Sequence, residues 1–275
     1  MLLRSATRQA LDALREREDA VYRGRLSVDT LSGVAAELYA VADLLVGQPR
    51  LRRTLGDPAT KPEGRADLIG GLLQGQVGEQ ALELVRTAAA QRWSSPWDLA
   101  DALESAGDDA LFAAAEQDAS LDRVEDELFR FERIIENEGE VAGLLDELTV
   151  EPARRNELLD ALVEGKVSPI TLALLHHAVA SQRKRSITFA LDDLLEKAAA
   201  RRHRSIARVV SAVPLSDAQQ RRLVDTLTAL YDRPISVRIA LDPKLQGGLI
   251  VRVGDEVIDG SIATRFADAR AAFAD

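Results

Sequence analysis

The sequence predicts a mainly α-helical protein: an N-terminal helical bundle built from a duplicated unit, followed by a small C-terminal α/β domain of order β-α-β-β-β-α. Three observations carry this expectation. Apolar residues recur at spacings of three and four over the first 200 positions, amid Ala, Leu, Glu and Arg. The helical region matches itself at a shift of 90 residues. After Arg204 the texture changes to β-branched runs separated by glycines and prolines.

In the helical region, Leu31, Val34, Leu38, Val41 and Leu45 form one apolar stripe, and Leu68, Leu72 and Leu73 contribute to another. Turns and helix ends are expected at Gly47-Gln48-Pro49, Asp57-Pro58, Lys61-Pro62, Gly75 and Ser95-Pro96. The products are short antiparallel helices, hence a bundle. The repeat keeps polar and special residues in register as well as apolar ones. Leu31, Val34, Glu37, Leu38 and Tyr39 fall on Leu121, Val124, Glu127, Leu128 and Phe129. Pro62, Arg65, Leu68, Ile69 and Leu72 fall on Pro152, Arg155, Leu158, Leu159 and Leu162, and Gly75 falls on Gly165. Amphipathic similarity alone does not hold a proline and a glycine in register, so the region reads as two copies of one unit.

Beyond Arg204, residues 206–213 read as a strand. Ser216 and Gln219 have the spacing of a capping box opening a helix that runs to about Tyr231. Residues 235–241, 249–253 and 256–258 read as three further strands, with Gly254-Asp255 as a tight hairpin turn. A short amphipathic helix is expected over 262–273.

Composition narrows the function classes. The chain has 275 residues, no cysteine and a formal charge of −10, with 46% hydrophobic and 4% aromatic residues. Disulfides, cysteine nucleophiles and thiolate metal sites are excluded, and an acidic, aromatic-poor chain has no overall pull toward nucleic acid or anionic lipid. No 18 consecutive residues are apolar and the N-terminus lacks secretory character, so neither a membrane span nor a signal is expected and the cytoplasm is the default compartment. There is no phosphate-binding G-x-x-x-x-G-K-[ST] and no H-E-x-x-H. His176 and His177 are adjacent, about 100° apart on a helix, and cannot face one metal together. Asp255 to Gly260 lacks the middle oxygen ligand of a calcium loop, and Ser261 suits a helix N-cap better than a nucleophile. No catalytic residue, cofactor or metal is expected. Charge is uneven: residues 98–164 hold 21 acidic and 5 basic side chains, whereas 183–208 hold 8 basic and 3 acidic. Solvated helix faces account for this pattern, and so does electrostatic contact with partner chains.

The run from Ala207 through Gln219, and that from Asp242 through Ile262, resemble the F-type ATP synthase delta subunit family, whose mitochondrial form is the oligomycin-sensitivity-conferring protein. Asp242, Gly247, Gly248, Gly254, Asp259, Gly260 and Ser261 carry its C-terminal signature, and Ala110-Leu111-Phe112 resembles its opening helix without the tyrosine. The resemblance covers roughly residues 105–275. It implies an extra bundle copy over 1–104, a delta-type N-terminal bundle over 105–204 and a C-terminal domain over 205–275, an arrangement similar to actinobacterial enzymes, some fused to a b-like subunit. It further implies a non-catalytic stator role on the cytoplasmic face of the cell membrane, without insertion into it. The bundle is then expected to bind N-terminal helices of the alpha subunits, and the C-terminal domain the end of the b subunit. On that resemblance Leu111, Phe112, Leu174, Leu175, Ala178 and Val179 are candidate partner contacts, core packing being the alternative role for each. The signature glycines read as structural. A free-standing helical adaptor with a delta-like fold is the alternative function.

Overall fold

A computed structural model describes residues 5–22, 26–181, 186–204, 206–231, 235–242, 245, 247–253 and 256–260. They fall into two compact units, Met1–Leu195 and Glu196–Asp275. The first unit contains α1 (Ser5–Tyr22), α2 (Val28–Gly47), α3 (Pro49–Leu55), α4 (Pro62–Leu73), α5 (Glu79–Ala90), α6 (Pro96–Gln117), α7 (Leu121–Asn137), α8 (Gly139–Leu145), α9 (Pro152–Val163) and α10 (Pro169–Ala180). The division runs through α11 (Ile187–Arg204). The second unit continues with β1 (Ile206–Ser211), α12 (Asp217–Tyr231), β2 (Ser236–Leu241), β3 (Leu249–Val253) and β4 (Glu256–Asp259).

The expected helix ends are the observed ones because the local chemistry demands them. Pro49, Pro62 and Pro96 each sit at the first turn of a helix, where a missing N–H costs nothing. Ser95 and Asp98 complete a capping box at α6, each accepting from the other's backbone region. Shifted by 90, α3, α4 and α5 coincide end for end with α8, α9 and α10. Gly75 and Gly165 both take positive φ, +74° and +67°. The repeat therefore extends from residue types to backbone conformation.

It extends to buried polar contacts too. Arg65 donates to the carbonyls of Asp57 and Ala90, and Arg155 to those of Leu145 and Val179. Glu37 accepts from the Gly78 N–H at 3.0 Å, and Glu127 from the Ser168 N–H at 2.8 Å. In each copy, then, a buried arginine satisfies carbonyls at helix ends, and a glutamate reaches across the bundle to the first N–H of another helix.

The two copies meet chiefly where α2 lies on α6. Small residues recur along both helices: Ala100, Ala106, Gly107, Ala110, Ala113 and Ala114 of α6 are buried, as are Ala35 and Ala42 of α2, and Gly107 lies against Tyr39. Small residues let helix axes approach closely. Although α2 has the length and apolarity of a membrane span, it forms this seam of the bundle core.

In the second unit the strand order is β2-β1-β3-β4, with β1 parallel to β2 and the other pairs antiparallel. Ala207, Val209, Val251, Val253 and Ile235 pack with Leu227 of α12. The capping box at α12 is present: the Ser216 N–H donates to Gln219 Oε1, and the Gln219 N–H donates to Ser216 Oγ. Val253 pairs with Glu256 across the hairpin, while its turn residues Gly254-Asp255 and the helix expected over 262–273 lie outside the described residues.

Candidate interaction surfaces

The six apolar residues expected to meet a partner are all inside the first unit. Leu111 and Phe112 are at most 1% exposed, Leu174, Leu175 and Val179 are fully buried, and Ala178 is 8% exposed. The reason is the α2–α6 seam. Helix α2 lies along α6, and α6 is buried from Leu99 to Ala115 on nearly every side. In this conformation these residues pack the bundle.

One cluster ties the seam to α10. Tyr39 of α2 lies flat on His177 of α10, with ring centroids 3.6 Å apart and planes 9° apart. Its hydroxyl donates to Asp108 Oδ1 of α6 at 2.7 Å. Burial, then the neighbouring Asp108 charge, pushes the Tyr39 phenol well above its ordinary range, so it remains a donor. The ring leaves no room at Gly107: a Cβ there comes within 2.4 Å of Tyr39 Cε1. The other adjacent histidine, His176, pairs through Nε2 with Asp160 Oδ1 at 2.6 Å. Among the described residues no group of His, Cys, Asp and Glu is arranged to hold a metal.

A second cluster centres on Glu127. Its Oε2 accepts from the Ser168 N–H and from Thr171 Oγ1 at 2.6 Å, and its Oε1 from Arg123 Nε at 2.7 Å. Burial raises its pKa, but these donors outweigh burial and the carboxyl sits below its ordinary value. The glutamate is a helix cap delivered from a distance. Its signal was in the sequence: Glu37 and Glu127 occupy the same place in the two copies, on faces that are otherwise apolar.

Among its charged surface residues the second copy leaves several apolar side chains uncovered: Phe129 is 49% exposed, Leu144 56% and Leu148 66%, and Phe189 of α11 is 53% exposed. Sequence reasoning missed these, because helical periodicity marks apolar positions without saying which stay uncovered.

In the second unit the signature residues shape the path into β3. The Asp242 N–H donates to Ser211 O, extending the β1–β2 ladder, and its carbonyl accepts from the Leu245 N–H. Gly247 and Gly248 take φ of +131° and +85°, values that side chains other than glycine rarely adopt. Asp259 ends β4 opposite Ile250, and the Gly260 N–H closes onto Leu249 O at 2.9 Å. Gly254 and Ser261 lie outside the described residues.

The described residues form a helical unit and a small α/β unit whose third strand is entered through two glycines of positive φ. The family model described as ATP synthase delta (OSCP) subunit matches residues 109–273. The ATP synthase subunit delta of Streptomyces griseus is 43% identical over 267 residues, covering 97% of this chain and 98% of the relative. That of Salinispora tropica is 38% identical over 270 residues, with 98% of each chain covered. The ATP synthase subunit b-delta of Mycobacterium sp. (strain KMS) is 40% identical over 267 residues, and the match spans 60% of that longer protein. The chain belongs to the ATP synthase delta (OSCP) subunit family, whose members are non-catalytic subunits of F-type ATP synthase, a membrane-associated complex.

Proposed function

We propose that this chain is a stator subunit of a proton-translocating F-type ATP synthase, holding the alpha/beta catalytic head to the peripheral stalk on the cytoplasmic face of the membrane. The observation that carries the reading is the match along nearly the whole chain, extra helical copy included, to delta subunits and to a protein in which b and delta are one polypeptide. In this reading the C-terminal unit attaches to the b subunit, and the helical unit attaches to N-terminal helices of the alpha subunits. Leu111, Phe112, Leu174, Leu175, Ala178 and Val179 serve as the core that shapes α6 and α10, since burial takes them off the surface. The contact itself falls to exposed apolar side chains of the same unit, among them Phe129, Leu144, Leu148 and Phe189. The adaptor alternative has no observation in its favour beyond the fold.

The test is reconstitution. Membrane vesicles carrying the synthase are stripped of this subunit, and ATP hydrolysis and ATP-driven proton uptake are measured before and after the full chain is added back. A stator subunit restores proton uptake while hydrolysis persists without it. Proton uptake unchanged by removal and return of the chain refutes the role. Titration of the full chain with an alpha N-terminal peptide by calorimetry tests the head contact separately, and absence of binding removes that assignment.

A further inference from the structure

One helix serves both copies of the repeat. Shifted by 90, Ser5 and Tyr22, the ends of α1, fall on Ser95 and Phe112, so α1 maps onto the cap and most of α6. Shifted likewise, Trp97 of α6 falls on Ile187, which opens α11. Helix α6 is therefore the sixth helix of the first copy and the first helix of the second, and two six-helix units that share one make the run from α1 to α11. The packing agrees with this count. From the first copy α1, α2, α3 and α5 lie against α6, and from the second α7 and α10 do. Polar ties also run to both sides. Thr7 Oγ1 of α1 donates to Asp98 Oδ2 at 2.6 Å, and the Tyr39 hydroxyl of α2 donates to Asp108 Oδ1. Toward the second copy, Ser181 Oγ at the C-cap of α10 donates to Glu104 Oε1 at 2.8 Å. Domains on a hinge are joined by an exposed polar linker that few contacts cross. Here the join is a 22-residue helix whose Leu99, Leu103, Leu111 and Phe112 are at most 1% exposed.

We propose that the first copy is a brace: through the shared α6 the two copies open and unfold as one body, so the duplication lengthens a stiff unit instead of adding a second domain on a hinge. The inference stands on the helical unit alone and does not need the stator reading. Its physical basis is that α6 cannot leave one copy without stripping it. Parting the copies on either side of α6 uncovers apolar and small side chains and breaks the bond to Asp108 or that to Glu104. Tyr39 adds a direct bridge, since its ring lies flat on His177 of α10. Repeat arrays draw cohesion from the interfaces between neighbouring repeats, and here the interface is an entire helix.

The experiment is hydrogen exchange on the full chain, read by mass spectrometry under conditions where exchange follows the opening equilibrium. It compares the unaltered protein with Ile69→Ala in α4 and with Leu159→Ala in α9. The two residues are equivalent in the repeat and both are fully buried. Their helices pack on α3 and α5 and on α8 and α10, so each substitution acts inside one copy and away from α6. The expected result is that either substitution speeds the slowest amides of both α4 and α9 by about tenfold or more, because the unaltered copy opens with the altered one. Speeding confined to the altered copy, with the slowest amides of the other helix unchanged within about twofold, overturns the brace and shows two separable units. Should an Ala variant not fold, Ile69→Val and Leu159→Val carry the same comparison, with an expected change of about threefold in both helices.

Discussion

Gly107→Ala tests whether the two helical copies are fused through a seam with no spare room. The new methyl carbon would stand 2.4 Å from Tyr39 Cε1 and 2.7 Å from Cδ1. Carbon atoms pack at roughly 3.5 Å, so the ring must retreat by about 1 Å. It is held from two sides, by the stack on His177 at 3.6 Å and by its hydrogen bond to Asp108. Overpacking of this kind costs about 2–3 kcal/mol, and the helix gains about 1 kcal/mol when Ala replaces Gly. The net loss of about 1–2 kcal/mol lowers Tm by about 2–8 °C for a unit of this size. Differential scanning calorimetry reads the shift. Adding Tyr39→Ala removes the obstacle, so the pair of substitutions is expected to cost less than the sum of the two single ones by about 1–2 kcal/mol. A Tm for Gly107→Ala equal to or above that of the unaltered chain, or strict additivity with Tyr39→Ala, refutes the close seam.

Three further predictions follow from single contacts. Arg155→Met leaves the buried carbonyls of Leu145 and Val179 without their donor and is expected to cost about 2–4 kcal/mol in urea unfolding; an effect under about 0.5 kcal/mol contradicts the assigned role. Glu127 has a folded pKa below its ordinary value, so its contribution is complete above the unfolded pKa of about 4.3 and is lost as pH falls through the folded value. Glu127→Gln is therefore expected to lower Tm at pH 7 by an amount that shrinks as pH falls below about 4.3; a difference that grows with falling pH excludes the carboxylate as the cause. Ala119 holds φ +57° between α6 and α7, and Ala119→Gly is expected to raise Tm by about 1–4 °C, a fall showing that the left-handed turn carries no strain.

The local devices were legible because they are local. Prolines at helix starts, the Ser216–Gln219 box and the alternation of 235–241 act within a turn or two of chain, and each produced the expected element. The candidate contacts were a different matter. Leu111 and Leu174 sit on apolar stripes, and a stripe says only that something covers it. Whether the cover is the same bundle, a second copy or a partner chain is settled by residues dozens of positions away, such as Tyr39 lying on His177. The polar residues shared by both copies, Arg65 with Arg155 and Glu37 with Glu127, held more information than their placement among apolar neighbours suggested. Each satisfies backbone groups that burial would otherwise leave unpaired.

By itself the sequence determined the duplication, the helix and strand boundaries, the change of texture after Arg204 and the family resemblance, since all four are written in spacing and residue type along the chain. Tertiary structure alone decided that α2 of the first copy lies along α6, that the six candidate contacts lie in the core and that α6 is packed from both copies. Proximity across a helix seam depends on how elements pack, and no local pattern encodes that.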